Sequence, residues 1–391
     1  MKTVLFFGLI AGSLSAAAAP SLPTLEEALA SKRDVYGELA MAQPNGASYE
    51  FLAPLIPPPR YVHADFRYYP IVLSAPNAPV KARLISNGSG VNLPGGSRSW
   101  HENGVPFTFR VGPDEFLFGG LRDRQYEPTL FDGYLPITEI RYRHITPVQS
   151  EGAVPLTQER LQRPPEIYAL EAFASTDAAL AEHGVVFTKF SLAQGGSGTI
   201  TVVVEDKTPL KFAEGRLVDE QGGIVAVVDG KWKWERNRLT AKISTKEFAT
   251  LAMATKPLPR TIDIKGDYAV QRAGCIDTWK KILGAAMRVE TPEPLVNDAW
   301  RHLLLQNFEL IKGDRMHYSA GNQYDQIYAA EGSDAALAFM WWNYERDMQR
   351  LMVPLLDFTR KGLEYHQAGF KINNLVRYYW QTRDAETVRA F

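Results

Sequence analysis

Cysteine is almost missing from this chain: Cys275 is the sole one among 391 residues. A lone thiol excludes a disulfide framework, and its distance from the start excludes a lipid anchor on an N-terminal cysteine. Net charge is missing too, at −1 from 43 basic and 44 acidic residues. With no Lys/Arg cluster, the chain carries no electrostatic footprint for nucleic acid or an anionic membrane. Beyond the N-terminus no run approaches the ~20 apolar residues of a membrane span. The histidines His63, His101, His144 and His183 are scattered without metal-ligand spacing, so a metal hydrolase is a distant third reading. No cofactor motif is present either. Gly195-Gly196-Ser197-Gly198 lacks the Lys-Ser/Thr of a phosphate loop and reads as a hairpin turn.

What is present begins with a leader. Met1-Lys2 is a short basic start, Val4 to Leu14 is apolar, and Ser15 to Ala19 ends in alanines before Pro20. That is the pattern of a cleavable secretory signal peptide, and it predicts a periplasmic or secreted protein. Leu25 to Met41 reads as one short amphipathic helix, and the prolines of Ala53 to Pro59 read as an extended strap.

From about Asp65 to Pro259 the signal is β throughout. Short runs rich in aromatic and β-branched residues include Phe66–Leu73, Val80–Ile85, Phe107–Val111, Ile137–Arg143, Ile167–Ala174 and Val185–Leu192. Thr199–Glu205, Gly215–Asp219, Ile224–Val228, Lys231–Glu235, Leu239–Ser244 and Phe248–Ala254 continue the series. Asn87-Gly88, Gly95-Gly96, Gly195-Gly196, Gly222-Gly223 and Asp229-Gly230 supply the positive φ of tight turns. Strands without helices between them predict a large antiparallel β-sandwich, and the alternation of Thr188, Phe190 and Leu192 with Lys189 and Ser191 predicts a wet outer face. Trp100, His101 and Glu102, on a Gly-flanked loop, could touch a ligand from the sandwich edge, although a packing tryptophan explains them as well.

After Lys256-Pro257-Leu258-Pro259 the periodicity turns helical. Helices are predicted over Ala273–Met287, Leu295–Lys312, Ala335–Trp342, Glu345–Arg360 and Ile372–Trp380, with a last one after Thr382-Arg383-Asp384. Pro294 suits a first helical turn, and Pro354 predicts a kink. The chemistry-bearing stretch runs from Tyr318 to Phe339. A polar loop with Tyr318, Asn322, Gln323, Tyr324, Asp325, Tyr328 and Glu331 leads to Ser333 or Asp334 as a helix cap, then to an all-apolar helix. Tyrosine faces can stack on sugar C–H groups, and carboxylates accept hydroxyl protons. A packing role for the tyrosines and a cap role for Asp334 explain the same residues.

Several of these stretches resemble the six-hairpin glycosidase superfamily, which includes glucoamylases, disaccharide phosphorylases and α-L-rhamnosidases. The resemblance rests on Trp279, Val289 to Pro294, Asn297 to Arg301, Gly321 to Tyr324, Tyr328, Asp334-Ala335-Ala336 and Thr382-Arg383-Asp384. It covers about Cys275 to Phe391, with the β region similar in placement to the N-terminal β-sandwich of such enzymes. The residue patterns give a signal peptide over 1–19, a lead-in over 20–64 and a β-sandwich domain over 65–260, and the resemblance implies part of an (α/α)6 toroid over 261–391.

It also implies a carbohydrate substrate. Tyr324, Tyr328, Glu331 and Asp334 become substrate-binding candidates, Asp334 at the head of an inner helix. Lys371 and Asn373, in a loop before the next inner helix, join them. In the family the general acid follows the fifth helix, which places it beyond Phe391. Glu331 and Asp334, three residues apart on one helix, sit side by side and cannot flank a glycosidic bond. The expectation is therefore the N-terminal portion of a secreted glycoside hydrolase. The alternative is a non-catalytic, secreted glycan-binding β-sandwich braced by helices.

Overall fold

The computed structural model describes residues 23–44, 46–48, 51, 70–93, 104–145, 165–205, 209–262, 264, 268–320 and 325–391. The expected signal peptide, the proline strap, Gly95-Gly96, Trp100 to Glu102, and Asn322 to Tyr324 lie outside them. The chain divides into two compact units, Met1–Val62 and His63–Phe391. Among the described residues no helix is long and apolar enough to cross a membrane.

In the first unit the single helix expected over Leu25–Met41 is two, α1 (Leu25–Ala30) and α2 (Val35–Met41). Two competing caps break it. Thr24 and Glu27 form a reciprocal capping box at α1, and the Asp34 carboxylate accepts from the Gly37 N–H at 2.9 Å to start α2.

The second unit holds two antiparallel sheets. The first has the order β1 (Pro70–Leu73), β2 (Ala82–Ile85), β3 (Gly90–Val91), β4 (Phe107–Val111), β10 (Ser197–Val204), β15 (Arg238–Ser244) and β14 (Lys233–Glu235), with β5 (Phe116–Leu117) on β4. In the second the order is β11 (Lys211–Ala213), β12 (Arg216–Val218), β13 (Ile224–Val228), β16 (Ala249–Leu258), β9 (Val185–Gln194), β8 (Glu166–Ala174), β7 (Leu135–His144) and β6 (Thr129–Phe131). Alternate residues of both sheets meet in one apolar core: Phe107, Phe109 and Val111 of β4 and Ile200 and Val202 of β10 against Tyr168, Leu170 and Phe190 of the second sheet. Period-two patterning thus builds the two-sheet region that the sequence predicts.

Two turn assignments need correction. Gly195-Gly196 joins β9 to β10, and Asp229-Gly230 joins β13 towards β14, so each pair carries the chain from one sheet to the other and makes no hairpin. Glycine signals the sharp bend (Gly195 has φ +123°) but not which sheet receives the next strand. Sequence patterning also passes over a one-turn helix, α3 (Ala178–Ala181), whose Asp177 cap accepts from the N–H groups of Ala179 and Leu180.

The outer face of the second sheet is dry where helices cover it, while Arg141 and Arg143 of β7 stay exposed, so the wet face that the alternation predicts holds only in part. Leu135, Ile137, Phe173, Val185, Phe187 and Ala254 pack against helices α4 (Tyr268–Ala285) and α5 (Pro294–Leu310) through Trp279, Leu304, Leu305 and Phe308. Phe173 stacks on Phe187 with centroids 5.8 Å apart and meets the Tyr268 ring edge-on at 5.3 Å. Each fully buried large side chain contributes about 1.5–3 kcal/mol. Polar residues of the strands are accommodated by pairing. Glu171 of β8 accepts a bidentate bond from Arg272 at 2.9 and 3.0 Å and a hydroxyl bond from Tyr268, with Lys189 at 3.3 Å.

Further helices follow: α6 (Ala329–Trp341), α7 (Glu345–Asp357), α8 (Glu364–Thr382) and α9 (Ala385–Ala390). Between α5 and α6 lies an unanticipated hairpin, β17 (Ile311–Lys312) with β18 (Arg315–Met316). α6 packs on α7 and on α8, and three residues join α6 to α7 as an αα-hairpin. α7 runs through Pro354 to Asp357. Arg383, in the left-handed conformation, ends α8, and Asp384 caps α9. Hydrogen bonds from Thr387 and Tyr378 hold the Asp384 carboxyl down at about 2.

Burial alone raises the Glu171 carboxyl, but the bonds from Arg272 and Tyr268 and the charge of Lys189 outweigh it and hold it below the ordinary glutamate range. The stability this contributes is present above the unfolded value and is lost as pH falls through the folded one. Glu171→Gln is expected to lower unfolding free energy at neutral pH by about 2–4 kcal/mol. The deficit should shrink as the medium is acidified; urea midpoints across acid pH check both the size and the direction.

Candidate functional site

Two places bring polar chemistry together in the second unit. The first is the seam between α6 and α8. Asp334 lies in the second turn of α6, because that helix starts at Ala329 after Tyr328, five residues before the position that a Ser333 or Asp334 cap predicts. The cap reading is therefore corrected: Ser333 is buried and Asp334 projects outward with 70% of its side chain exposed. Arg377 of α8 donates to its Oδ1 at 3.1 Å. Seven residues on, the Trp341 indole N–H donates to Gln381 Oε1 at 3.1 Å. Both contacts advance in the same chain direction, so α6 and α8 run parallel, with α7 returning between them.

The remaining sequence candidates scatter around this seam. Tyr328 meets Tyr318 edge-on at 5.5 Å, receives a hydrogen bond from Gln326 at 2.7 Å, and has the Arg360 guanidinium over its ring at 5.5 Å. Lys371 and Asn373 lie within α8, since that helix begins at Glu364 and not after Gly369. The buried Gln367 accepts from the Arg360 N–H at 2.7 Å near the start of α8, upstream of the loop the sequence predicts around Gly369. Asn373 precedes Arg377 by four residues and shares its face; Lys371 falls on another. Tyr324 lies outside the described residues, as does the Glu331 side chain.

The second place was not foreseen. A cavity of about 300 Å³ opens beside β2, lined by Lys81, Arg83, Lys256, Lys312 and Asp325. Val72, Pro79 and Ala320 supply apolar wall. Lys81 and Arg83 alternate with Ala82 and Leu84, so the apolar pair enters the core between the two sheets and the basic pair points out of it. Yet Lys81 is only 7% and Arg83 only 2% exposed. The segment after α5 covers them. Lys81 Nζ donates to the Ile311 carbonyl at 2.9 Å and to Ser74 Oγ at 3.2 Å. Asn77, in the loop from β1 to β2, donates its N–H to the Phe308 carbonyl at 3.3 Å and accepts from the Gly313 N–H at 3.0 Å. Arg350 of α7 fastens the same loop through Asn77 Oδ1 at 3.1 Å.

Inside the cavity, Asp325 is held by Lys312 at 2.5 Å and by His317 Nδ1 at 2.7 Å. Behind it, Glu309 of α5 is 7% exposed, and among the described residues its Oε1 has no hydrogen-bond partner. Burial pushes the Glu309 carboxyl up, with Lys81 only partly opposing. Burial likewise pushes the Lys81 ammonium down, against the pull of Glu309 and Asp325. Cys275 adds no reactive thiol, since burial pushes it up to about 12. Among the described residues no three His, Cys, Asp or Glu side chains gather in a way that could hold a metal ion.

The available sequence signal for this cavity was the Lys-Ala-Arg-Leu alternation in an edge-proximal strand, which ordinarily marks a solvated face. Burial beneath a segment more than two hundred residues away is tertiary information. No protein-family model and no curated protein matches the chain.

Because Glu309 is raised in the folded state, its contribution is most favourable at low pH and declines as pH climbs above the ordinary carboxylate range. Chemical denaturation of the parent and of Glu309→Gln from pH 5 to pH 8 is expected to show the parent losing ground to the variant as pH rises. A constant difference would place an ionised Glu309 in the fold throughout.

Proposed function

We propose that this is a secreted carbohydrate-active protein of the six-hairpin glycosidase type, in which the exposed α6/α8 seam contacts an oligosaccharide. One observation carries the reading: an exposed indole and a carboxylate–guanidinium pair lie along one edge of two parallel helices. Trp341 is 56% exposed, and Asp334, paired with Arg377 of α8, lies seven residues before it along α6, about 10 Å of helix. An indole face binds sugar C–H groups, and the ion pair offers both donors and acceptors to hydroxyls. That spacing suits more than one sugar ring.

The order of elements supports the same reading. Two antiparallel sheets precede successive helical hairpins, and α6 and α8 are neighbours while α7 returns between them, as the inner and outer helices of a toroid alternate. Under this proposal the reaction is glycoside hydrolysis. Asp334, clamped by Arg377, positions the sugar. Glu331 shares the helix with Asp334 three residues away, so the two do not supply acid and base on opposite sides of a glycosidic bond. Binding without turnover is accordingly what these residues support by themselves.

Calorimetric titration of the 391-residue chain with neutral oligosaccharides of increasing length tests the proposal. Trp341→Ala is expected to weaken binding about five- to tenfold. Asp334→Asn should weaken it comparably with little change in melting, since exposed ion pairs contribute about 0–1 kcal/mol. No binding across the panel, or an Asp334→Asn variant that melts early yet binds normally, contradicts the reading. Release of reducing ends by the chain would show that a catalytic acid has been overlooked within it.

A further inference from the structure

We propose that Lys81 is an amine nucleophile, placed on the cavity wall to take the aldehyde of a small hydroxyaldehyde, such as an open-chain sugar, as a Schiff base. The site is distinct from the α6/α8 seam, and the inference stands whether or not the seam binds sugar.

Hydrogen bonding fixes the nitrogen. Lys81 Nζ donates to the Ile311 carbonyl at 2.9 Å and to Ser74 Oγ at 3.2 Å. The Ser74 hydroxyl gives its own proton to the Ala75 carbonyl at 2.8 Å, so towards the lysine its oxygen acts as an acceptor. A free amine has two N–H donors and a lone pair, whereas an ammonium has three donors and no lone pair. Among the described residues the hydrogen bonds of Lys81 go to these two neutral oxygens alone. They match the amine, and they leave its lone pair for the cavity that Lys81 lines.

The charged neighbours leave that assignment standing. Glu309 of α5 faces Lys81 and favours its charged form, as does Asp325, while Lys312 opposes it. Burial outweighs all three and pushes the ammonium down. Burial also pushes the Glu309 carboxyl up, and its enclosed Oε1 has no hydrogen-bond partner among the described residues, which suits a protonated acid and not an ion. The proton shared by this pair therefore sits on Glu309, and amine and acid carry no net charge between them. Asp325 is held by Lys312 and His317. Cys275, facing Glu309 from α4, is pushed up to about 12 by burial and adds no charge. Arg83 borders the same space with interactions of its own, and the step does not use it. Reactivity comes from desolvation, with no call on an excess of positive charge. In the step, the lone pair forms a C–N bond with the carbonyl carbon as the C=O π pair moves to oxygen. Two protons leave nitrogen with that oxygen as water, giving the imine without oxidant or reductant. A volume of about 300 Å³ admits a short carbon chain, with Val72 and Pro79 as apolar wall and Lys256 at the exposed rim to donate to hydroxyl oxygens.

The test treats the full chain at pH 7 with glycolaldehyde and cyanoborohydride, which reduces an imine to a stable secondary amine, and reads each lysine by peptide mass mapping. Exposed lysines are almost wholly protonated at that pH, so Lys81 should be labelled about tenfold or more faster than the exposed Lys246. In urea, with burial removed, the rate at Lys81 should fall to that of Lys246. Glu309→Gln keeps an uncharged group behind the amine and should leave the rate at Lys81 within about twofold of the parent's. If that variant does not fold, the parent labelled with and without urea decides. Trp341→Ala should be labelled at the parent's rate, which separates this site from the seam. Labelling of Lys81 no faster than that of Lys246, or faster in urea than in the folded chain, overturns the proposal. So does a rise of about tenfold in Glu309→Gln, which would reveal an ammonium paired with a carboxylate in the parent.

Discussion

The fold depends on one sheet being buried on both faces. Along β8 and β9, residues that point inward, such as Leu170 and Phe190, join the core between the sheets, while Phe173, Val185 and Phe187 point outward into a second core made with α4 and α5. Where the helices cover it the sheet keeps no solvated face, so the outward polar residues there must find partners in the helices. Glu171 does so through Arg272 and Tyr268, at the cost of desolvation and with the return of a bidentate, charge-assisted contact. Trp279 and Phe308 join this second core, where Phe308 also meets Phe339 of α6 edge-on at 4.7 Å.

That same docking creates the cavity. α5 ends at Leu310, and the chain then turns across the first sheet's edge as β17, laying the Ile311 carbonyl on Lys81. Arg350 of α7 and the backbone around Asn77 fasten the edge loop to it. Basic residues that a free sheet would present to water become part of the wall of an enclosed space that also holds Asp325. The α6/α8 seam is the opposite case. Its ion pair and indole stay exposed on the outer side of helices whose other faces, through Leu337, Phe339 and Tyr378, are dry.

Much of this was legible in residue patterns. Period-two runs placed most strands within a few residues, and the change of period after Pro259 separated strands from helices. Pro294 and Asp384 marked helix starts for the reasons that capping chemistry supplies. Three kinds of information were not local. Gly195-Gly196 announces a bend but not a change of sheet. Ser333 and Asp334 have the right chemistry for a cap, yet tertiary packing carries the helix one and a half turns further back, with Gly332 and Ser333 inside. Gly369, expected in a loop, lies instead inside a helix whose Gln367 and Asn374 are buried on either side of it. The burial of Lys81 and Arg83 depends on a segment far along the chain, and no window of sequence contains it.

Native-state hydrogen exchange resolves the central claim, because it reports opening free energy residue by residue. If the second sheet and the helices on its outer face form one cooperative body, amides of α4 and α5 and those of β8 and β9 should share their highest opening free energies. They should also lose them together on addition of denaturant. Helical amides that open at markedly lower free energy while β8 and β9 stay protected would mean the sheet folds without its outer cover, and the account of its two-faced burial would be wrong.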